Sequence, residues 1–406
     1  MGELSVCGGL DRSWVGFQRR GKSMSPGKRF NDYIESVLRG VSFKEAHSEI
    51  RKELTNHLEE AKEITSGLNL SEEEIETQVI RRMGDATNLG STLDQVHRPR
   101  VDYLVLGMLA FLLAVGSFAM FQLDRIGLHL LWLGLGVIPL VALMLIKPTS
   151  VRERSWSIYG ATVALGILAS AIGPWYEGQP YLSLGPIHIK LVDLSVALFV
   201  LALAGPIADT NGARITQRSL LFLATLIPLA AYAWIGSFFP ALLLGSSCLA
   251  MMITSRQPKE MVVGYSATGA ALVGASLSGS AFISGEKFSE VAAKERHTDF
   301  VFNFLTSTTP ALAMITAATS IALTTYLISV SRSVKNPYGK TVSAGAIALI
   351  TAGILWGTLS NLGFMPMPMT GVYFPFLSYS GSLMIAHMAL IGIVLGVQRR
   401  RNLHFS

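Results

Sequence analysis

From Tyr103 onward the chain is a succession of apolar runs of roughly 17 to 22 residues, separated by short polar stretches, and runs of this length cross a bilayer as helices. Ten spans are predicted, near 103–121, 127–146, 157–174, 191–207, 219–236, 239–254, 262–283, 301–330, 342–361 and 381–398. Ahead of them the pattern changes to the period of helices with a single buried face. Phe30, Tyr33, Ile34, Val37 and Leu38 share one face over 28–40, and Phe43, Ala46, Ile50, Leu54, Leu58, Ala61 and Ile64 recur at helical steps over 42–66. Ser42 with Glu45, and Ser71 with Glu74, have the spacing of capping boxes. A three-helix cytosolic module follows from this pattern. Residues 1–27 are rich in glycine, serine and basic residues and hold no apolar core of signal-peptide length. They read as a disordered tail, with Met24 a candidate start.

The chain is therefore expected to be all-α and polytopic: a tail (1–27), a helical prefix domain (28–100) and a ten-helix transmembrane domain (101–401), with the boundary near Arg98 to Val101. Composition agrees, since half of the 406 residues are hydrophobic and only 15% are charged. The net charge of +6 does not point to nucleic acid, because the basic residues flank the spans and form no aromatic-interleaved patch. With the amino terminus in the cytoplasm, the inner loops and tail hold thirteen cations: Lys147, Arg152, Arg154, Arg214, Arg218, Arg256, Lys259, Arg332, Lys335, Lys340, Arg399, Arg400 and Arg401. The outer loops hold five, Arg125, Lys190, Lys287, Lys294 and Arg296. This asymmetry predicts a cytoplasmic location for both termini. Two cysteines, Cys7 and Cys248, make no disulfide framework.

Three outer stretches exceed a turn: 174–190, 284–299 and 362–380. The second ends in KERHTDFVFNF, residues 294–304, which sets Glu295, His297 and Asp299 at the mouth of a span. Ionisable groups there either complement the start of a helix or do chemistry. The third, from Asn361 to Ser382, has three prolines within NLGFMPMPMTGVYFPFLSYSGS and no charge. It is either a partly re-entrant loop or a kinked connection, and irregular backbone at membrane depth must be buried in protein or line a wet cavity. His387 is the one ionisable residue between Val342 and Gln398, and a packed neutral ring is expected. No phosphate-binding loop, dinucleotide fingerprint or paired metal-ligand motif occurs, which argues against an ATP-driven transporter.

His297, Thr298, Asp299, Phe300 and Phe302, followed by Asn361, Pro368, Thr370, Gly371, Pro375, Phe376, Ser378, Tyr379, Gly381 and Ser382, form an ordered set. In these residues and in the ten-span layout the chain resembles the SEDS family of bacterial cell-wall polymerases, FtsW, RodA and SpoVE. The resemblance implies polymerisation of lipid II glycan strands at the outer face of the cytoplasmic membrane, in division or cell-shape maintenance, with a class B penicillin-binding transpeptidase as partner. It implies Asp299 as the catalytic carboxylate. Candidate substrate-binding residues are Lys287, Glu295, Arg296, His297, Thr298, Ser378 and Tyr379. The departing pyrophosphate calls for cationic side chains or a divalent cation, Mg or Mn, and no organic cofactor is expected.

Upstream the likeness thins. Pro180 and Tyr181 stand where the family has Arg-Trp, and Lys190 to Asp193 replace QPSE, leaving Gly185 and the acidic character of Asp193. FFPAL keeps only Pro240 of a PDLGT element, Ser307 and Thr308 replace two glutamates, and Tyr373 and Ser380 replace a proline and a glycine. These departures keep two other readings open, a lipid-linked precursor transporter (flippase) and a non-catalytic scaffold of a wall-synthesis complex. The prefix, with RKELTNHLEEAKE and EEEIETQVIRRMGD, resembles the small helical domain ahead of some bacterial permease and sensor membrane domains.

Overall fold

The computed structural model describes residues 28–66, 71–99, 101–176, 178–184, 187–210, 214–278, 282–283, 300–362, 364–365, 367–368 and 373–401. The tail expected over 1–27 lies outside them. The chain divides into two compact units, Met1–Arg98 and Pro99–Ser406.

The first unit has four helices, α1 (Lys28–Arg39), α2 (His47–Thr65), α3 (Glu72–Met83) and α4 (Ala86–His97), rather than three. The extra one arises because Gly84, at φ +85°, ends α3, and the Asp85 carboxylate accepts from the Thr87 amide to open α4. The box at Ser71 and Glu74 forms, and its two donors to Glu74 hold that carboxyl below its ordinary value. The box expected at Ser42 and Glu45 does not. A 3-10 turn at Lys44–Ala46 precedes α2, its N-cap Phe43 makes no side-chain cap bond, and the Ser42 amide donates to Asp94 at 2.7 Å. Phe30, Ile34, Val37, Ile50, Leu58 and Val79 are buried between these helices as their spacing predicts, whereas Ile64, read on the same face, is 56% exposed.

In the second unit each of the ten predicted segments holds a helix, but the span expected over 262–283 is helical through Ser278 and its last two residues, Phe282 and Ile283, are strand. The helices are α5 (Tyr103–Gln122), α6 (Ile126–Leu145), a short α7 (Pro148–Glu153), α8 (Ser155–Ile172), α9 (Leu191–Asp209), α10 (Ile215–Trp234), α11 (Phe238–Thr254), α12 (Lys259–Ser278), α13 (Val301–Thr308), α14 (Pro310–Arg332), α15 (Pro337–Asn361) and α16 (Gly381–Arg399). Among the described residues, eight are long and apolar enough to cross a membrane; α11 is shorter at 17 residues. The single span expected over 301–330 is two helices. Pro310 lacks the amide that would continue the ladder, and its ring drives Thr309 to φ −139°, ψ 69°, out of helical conformation.

The helices α9 and α16 are apolar nearly all round and form the centre, each with 83% of its spanning window buried against 17% for α8. Close backbone approach joins α16 to α6. A Cβ on Gly392 would lie 2.8 Å from the Leu140 Cα, and one on Gly396 would lie 2.7 Å from the Leu143 carbonyl. Gly392→Ala is therefore expected to cost about 1–3 kcal/mol, because neither helix backbone can yield independently. Thermal unfolding in detergent measures it.

Two small antiparallel ladders sit in the long loops, which the hydropathy pattern did not show. The first runs β1 (Trp175–Tyr176), β2 (Gln179–Leu184), β3 (Ile187–Lys190), with Tyr181 opposite Lys190. The second pairs β4 (Phe282–Ile283) with β5 (Met367–Pro368), joining the segment before the charged stretch to the proline-rich loop. Both lie at one end of the bundle, called here the hairpin end. At the other end Arg152 holds Asp209 through two hydrogen bonds, and Arg400, itself buried, donates to the carbonyls of Met144, Leu145 and Gly396.

The re-entrant reading of the late loop is the one the structure supports over its described part, 373–380. A Cβ placed on Gly116 of α5 would lie 2.9 Å from the Phe376 carbonyl, and one on Gly353 of α15 would lie 3.1 Å from the Pro375 ring. These glycines are six and eight residues inside their helix ends, so the loop descends about 9–12 Å into protein. Its backbone is satisfied there: the Leu377 and Ser378 amides donate to Phe374 O. Phe376 takes φ +68°, uncommon for a bulky residue, with its ring edge-on to His387. His387 is packed as expected, its Nδ1 2.8 Å from the Leu383 carbonyl.

Candidate active site

Six of the eight site residues expected from sequence, Lys287, Glu295, Arg296, His297, Thr298 and Asp299, lie outside the described residues. What is described is the frame into which the chain runs immediately after Asp299. Phe300 is fully buried and is the N-cap residue of α13, where it offers no side-chain cap. The missing cap comes from the end of α15. The Asn361 Oδ1 accepts from the Asn303 amide at 2.9 Å, and the Asn361 Nδ2 donates to the Gly357 carbonyl at 2.8 Å. Asn303 Nδ2 returns a bond to the Asn361 carbonyl at 3.4 Å. An orphan amide at the first turn of α13 is thus satisfied across 58 residues of sequence. Phe302, one residue before it, stacks on Phe374 with ring centroids 5.0 Å apart and planes at 11°.

Asn361→Leu removes the acceptor from the part-buried Asn303 amide. The expected cost is about 1–3 kcal/mol, read as a lower melting midpoint in detergent and as faster hydrogen exchange confined to α13.

Ser378 and Tyr379 are described, and they differ in role. The Ser378 hydroxyl accepts from the Phe374 amide at 2.8 Å and is buried, so it closes the turn that presents Phe374 to Phe302. That bond gives Ser378 a turn-closing role, with its hydroxyl largely out of solvent. Tyr379 is half-buried against the apolar core.

The residues that pattern reading passed over are Lys190 and Asp193. They stand one turn apart at the start of α9, with Nζ 3.8 Å from Oδ2, and their side chains are only 8% and 3% exposed. The Lys190 ammonium also donates to the Tyr373 hydroxyl at 3.2 Å and lies 5.3 Å from that ring's centroid. The Lys190 amide donates to the Ser382 hydroxyl at 2.8 Å, so the start of α9 is tied to the start of α16. Asp193 Oδ2 has no hydrogen-bond partner among the described residues beyond the lysine charge. One turn deeper, the Ser195 and Tyr232 hydroxyls are 2.6 Å apart. A buried ion pair at the head of an otherwise apolar span is the signal that could have found this cluster, since ionisable groups in spans are costly and functional. The sequence showed Lys190 as an outer-loop cation and as the start of the stretch, through Asp193, that stands in place of QPSE.

The cluster and the α13 frame meet through adjacent residues: Tyr373 contacts Lys190, and Phe374 contacts Phe302. A cation and a carboxylate, one oxygen of which accepts no hydrogen bond among the described residues, are thereby held beside the start of α13. Among the described residues no three His, Cys, Asp or Glu side chains are grouped to hold a metal ion. Asp193, the one buried carboxylate of the described membrane unit, is engaged by an ammonium and does not fit a cation site.

Residues 271–403 match the model of the FtsW/RodA/SpoVE family, described as cell cycle protein. A curated relative, the probable peptidoglycan glycosyltransferase FtsW of Geobacter metallireducens, is 29% identical over 109 residues. That match spans 26% of this chain and 28% of the relative's length. Among solved structures, the rod shape determining protein RodA of Thermus thermophilus superposes with a TM-score of 0.59 at 22% identity, over 74% of this chain and 97% of that one. A chain from a structure described as the structural coordination of polymerization and crosslinking by a peptidoglycan synthase complex gives 0.55 at 19%, over 74% and 98%. Over residues 271–403 this chain is similar to the FtsW/RodA/SpoVE family, and across 74% of its length it has the fold of RodA.

Proposed function

We propose that this protein polymerises glycan strands from lipid II by inverting glycosyl transfer at the outer face of the bacterial cytoplasmic membrane. In this reading the hairpin end faces outward and both termini are cytoplasmic, as the cation asymmetry of the loops suggests. The observation that carries it is the buried Lys190 and Asp193 pair, with the half-buried Tyr373 on the lysine, set against the frame of α13, the helix that directly follows Asp299.

In the reaction a sugar hydroxyl of the acceptor attacks the anomeric carbon of the donor. A new carbon–oxygen bond forms, the bond to the lipid diphosphate breaks, and its electron pair leaves with the diphosphate. The Asp299 carboxylate takes the hydroxyl proton as the bond forms. A single displacement with base assistance inverts the anomeric carbon. Lys190 supplies positive charge toward the developing diphosphate charge, in a site where burial strengthens it. Asp193 keeps that ammonium charged and aimed. A class B penicillin-binding transpeptidase is the partner proposed for cross-linking the product, a role consistent with the peptidoglycan synthase complex that shares this fold.

Purified protein given labelled lipid II and Mg or Mn, with and without such a transpeptidase, tests the reading. Glycan chains on a gel support it. Movement of lipid between leaflets without polymer would replace it with transport, and neither activity would leave a scaffold.

A further inference from the structure

At the end of the bundle remote from that site, a cavity of about 460 Å³ opens between α11, α14 and α15. Ala344, Ala348 and Ala352, spaced four apart on α15, line its floor, and Ile328 and Leu355 line it from either side. Its polar end is made by Arg332, Lys340 and Ser331. Among the described residues no acidic side chain lines it. Arg332 and Lys340 have no ion-pair partner among the described residues, unlike Arg152 with Asp209 or Lys190 with Asp193. Ser331, only 7% exposed, adds a hydroxyl at the same end.

An occupant must therefore be anionic at one end and apolar along the rest. Lys340 and Leu355 are fifteen residues apart on α15, so the groove runs about 22 Å from its charged mouth toward the middle of a ~30 Å hydrocarbon core. A single hydrocarbon chain is slender enough to lie along the groove, and the two cations at its mouth select an anionic head group. We infer that this groove binds an anionic glycerophospholipid, its phosphate between Arg332, Lys340 and the Ser331 hydroxyl and one acyl chain along the alanine floor. The site is separate from the proposed glycosyl transfer, and its occupancy is measured without that reaction.

The test is native mass spectrometry of the full-length protein in detergent, with phosphatidylglycerol and phosphatidylcholine of identical chains in equal amounts. The expected result is a preference of about tenfold for phosphatidylglycerol. R332Q/K340Q brings that preference to about one, while Ala348→Leu, which leaves both cations and fills the floor, lowers retention of phosphatidylglycerol at least about threefold. Melting midpoints of the variants establish that each is folded, and should the double variant fail to fold, Ala348→Leu decides alone. Equal retention of the two lipids by the parent protein overturns the assignment. So does a preference unchanged in R332Q/K340Q, retention unchanged in Ala348→Leu, or cross-linking of Ala348→Cys to a partner's single helix with phosphatidylglycerol excluded.

Discussion

Asp299→Asn is expected to lower the rate of glycan polymerisation from lipid II by about a hundredfold to ten-thousandfold, the usual contribution of one positioned general base. The substitution keeps the shape of the side chain and removes its ability to accept a proton as the sugar hydroxyl attacks. The fold should be untouched, because the start of α13 is held by Asn361 on the Asn303 amide and by Phe302 on Phe374, none of which involves the carboxylate. Product length on gels and initial rates with labelled lipid II measure the effect, with a melting curve beside them. A folded Asp299→Asn protein that polymerises at the parent rate would remove this residue from the mechanism.

Lys190→Met is the second large effect, and it divides into two parts. Deleting the ammonium leaves the Asp193 carboxyl buried with no counterion, a change expected to cost about 3–5 kcal/mol. The Tyr373 hydroxyl loses its donor at the same time. Replacing both partners, Lys190→Met with Asp193→Leu, removes the stranded carboxyl and should return most of the stability, since a buried pair is roughly balanced by apolar packing of similar volume. If the lysine also stabilises the leaving diphosphate, the double variant regains its melting midpoint while its kcat stays at least about tenfold down. A double variant that recovers both stability and rate would make the pair purely structural.

The spans were legible because bilayer thickness fixes how long an apolar run must be, and this constraint acts locally on each stretch of sequence. Helix ends from Tyr103 to Arg399 fall within a few residues of those expected, and the capping box at Ser71 and Glu74 forms as its spacing required. The break at Thr309 was written in the sequence too, as Pro310, but an unbroken apolar pattern masked it. The fourth helix of the first unit was hidden for the opposite reason. Its apolar face is thin, with Gly90 its one buried residue, so its period was weak.

By itself, then, the sequence determined that this is an all-α membrane protein, where its helices run, and, through HTDF and the late loop, which family it resembles. The tertiary structure alone decided that Lys190 meets Tyr373 across 183 residues, that Asn361 caps α13, and that Ser378 closes a turn. The physical reason is one of range. Span length, capping and turn chemistry are settled by neighbours in the chain. Which loops converge at one end of a bundle is settled by how α9 and α16 pack at its centre, and no local pattern of apolar and polar residues encodes that choice.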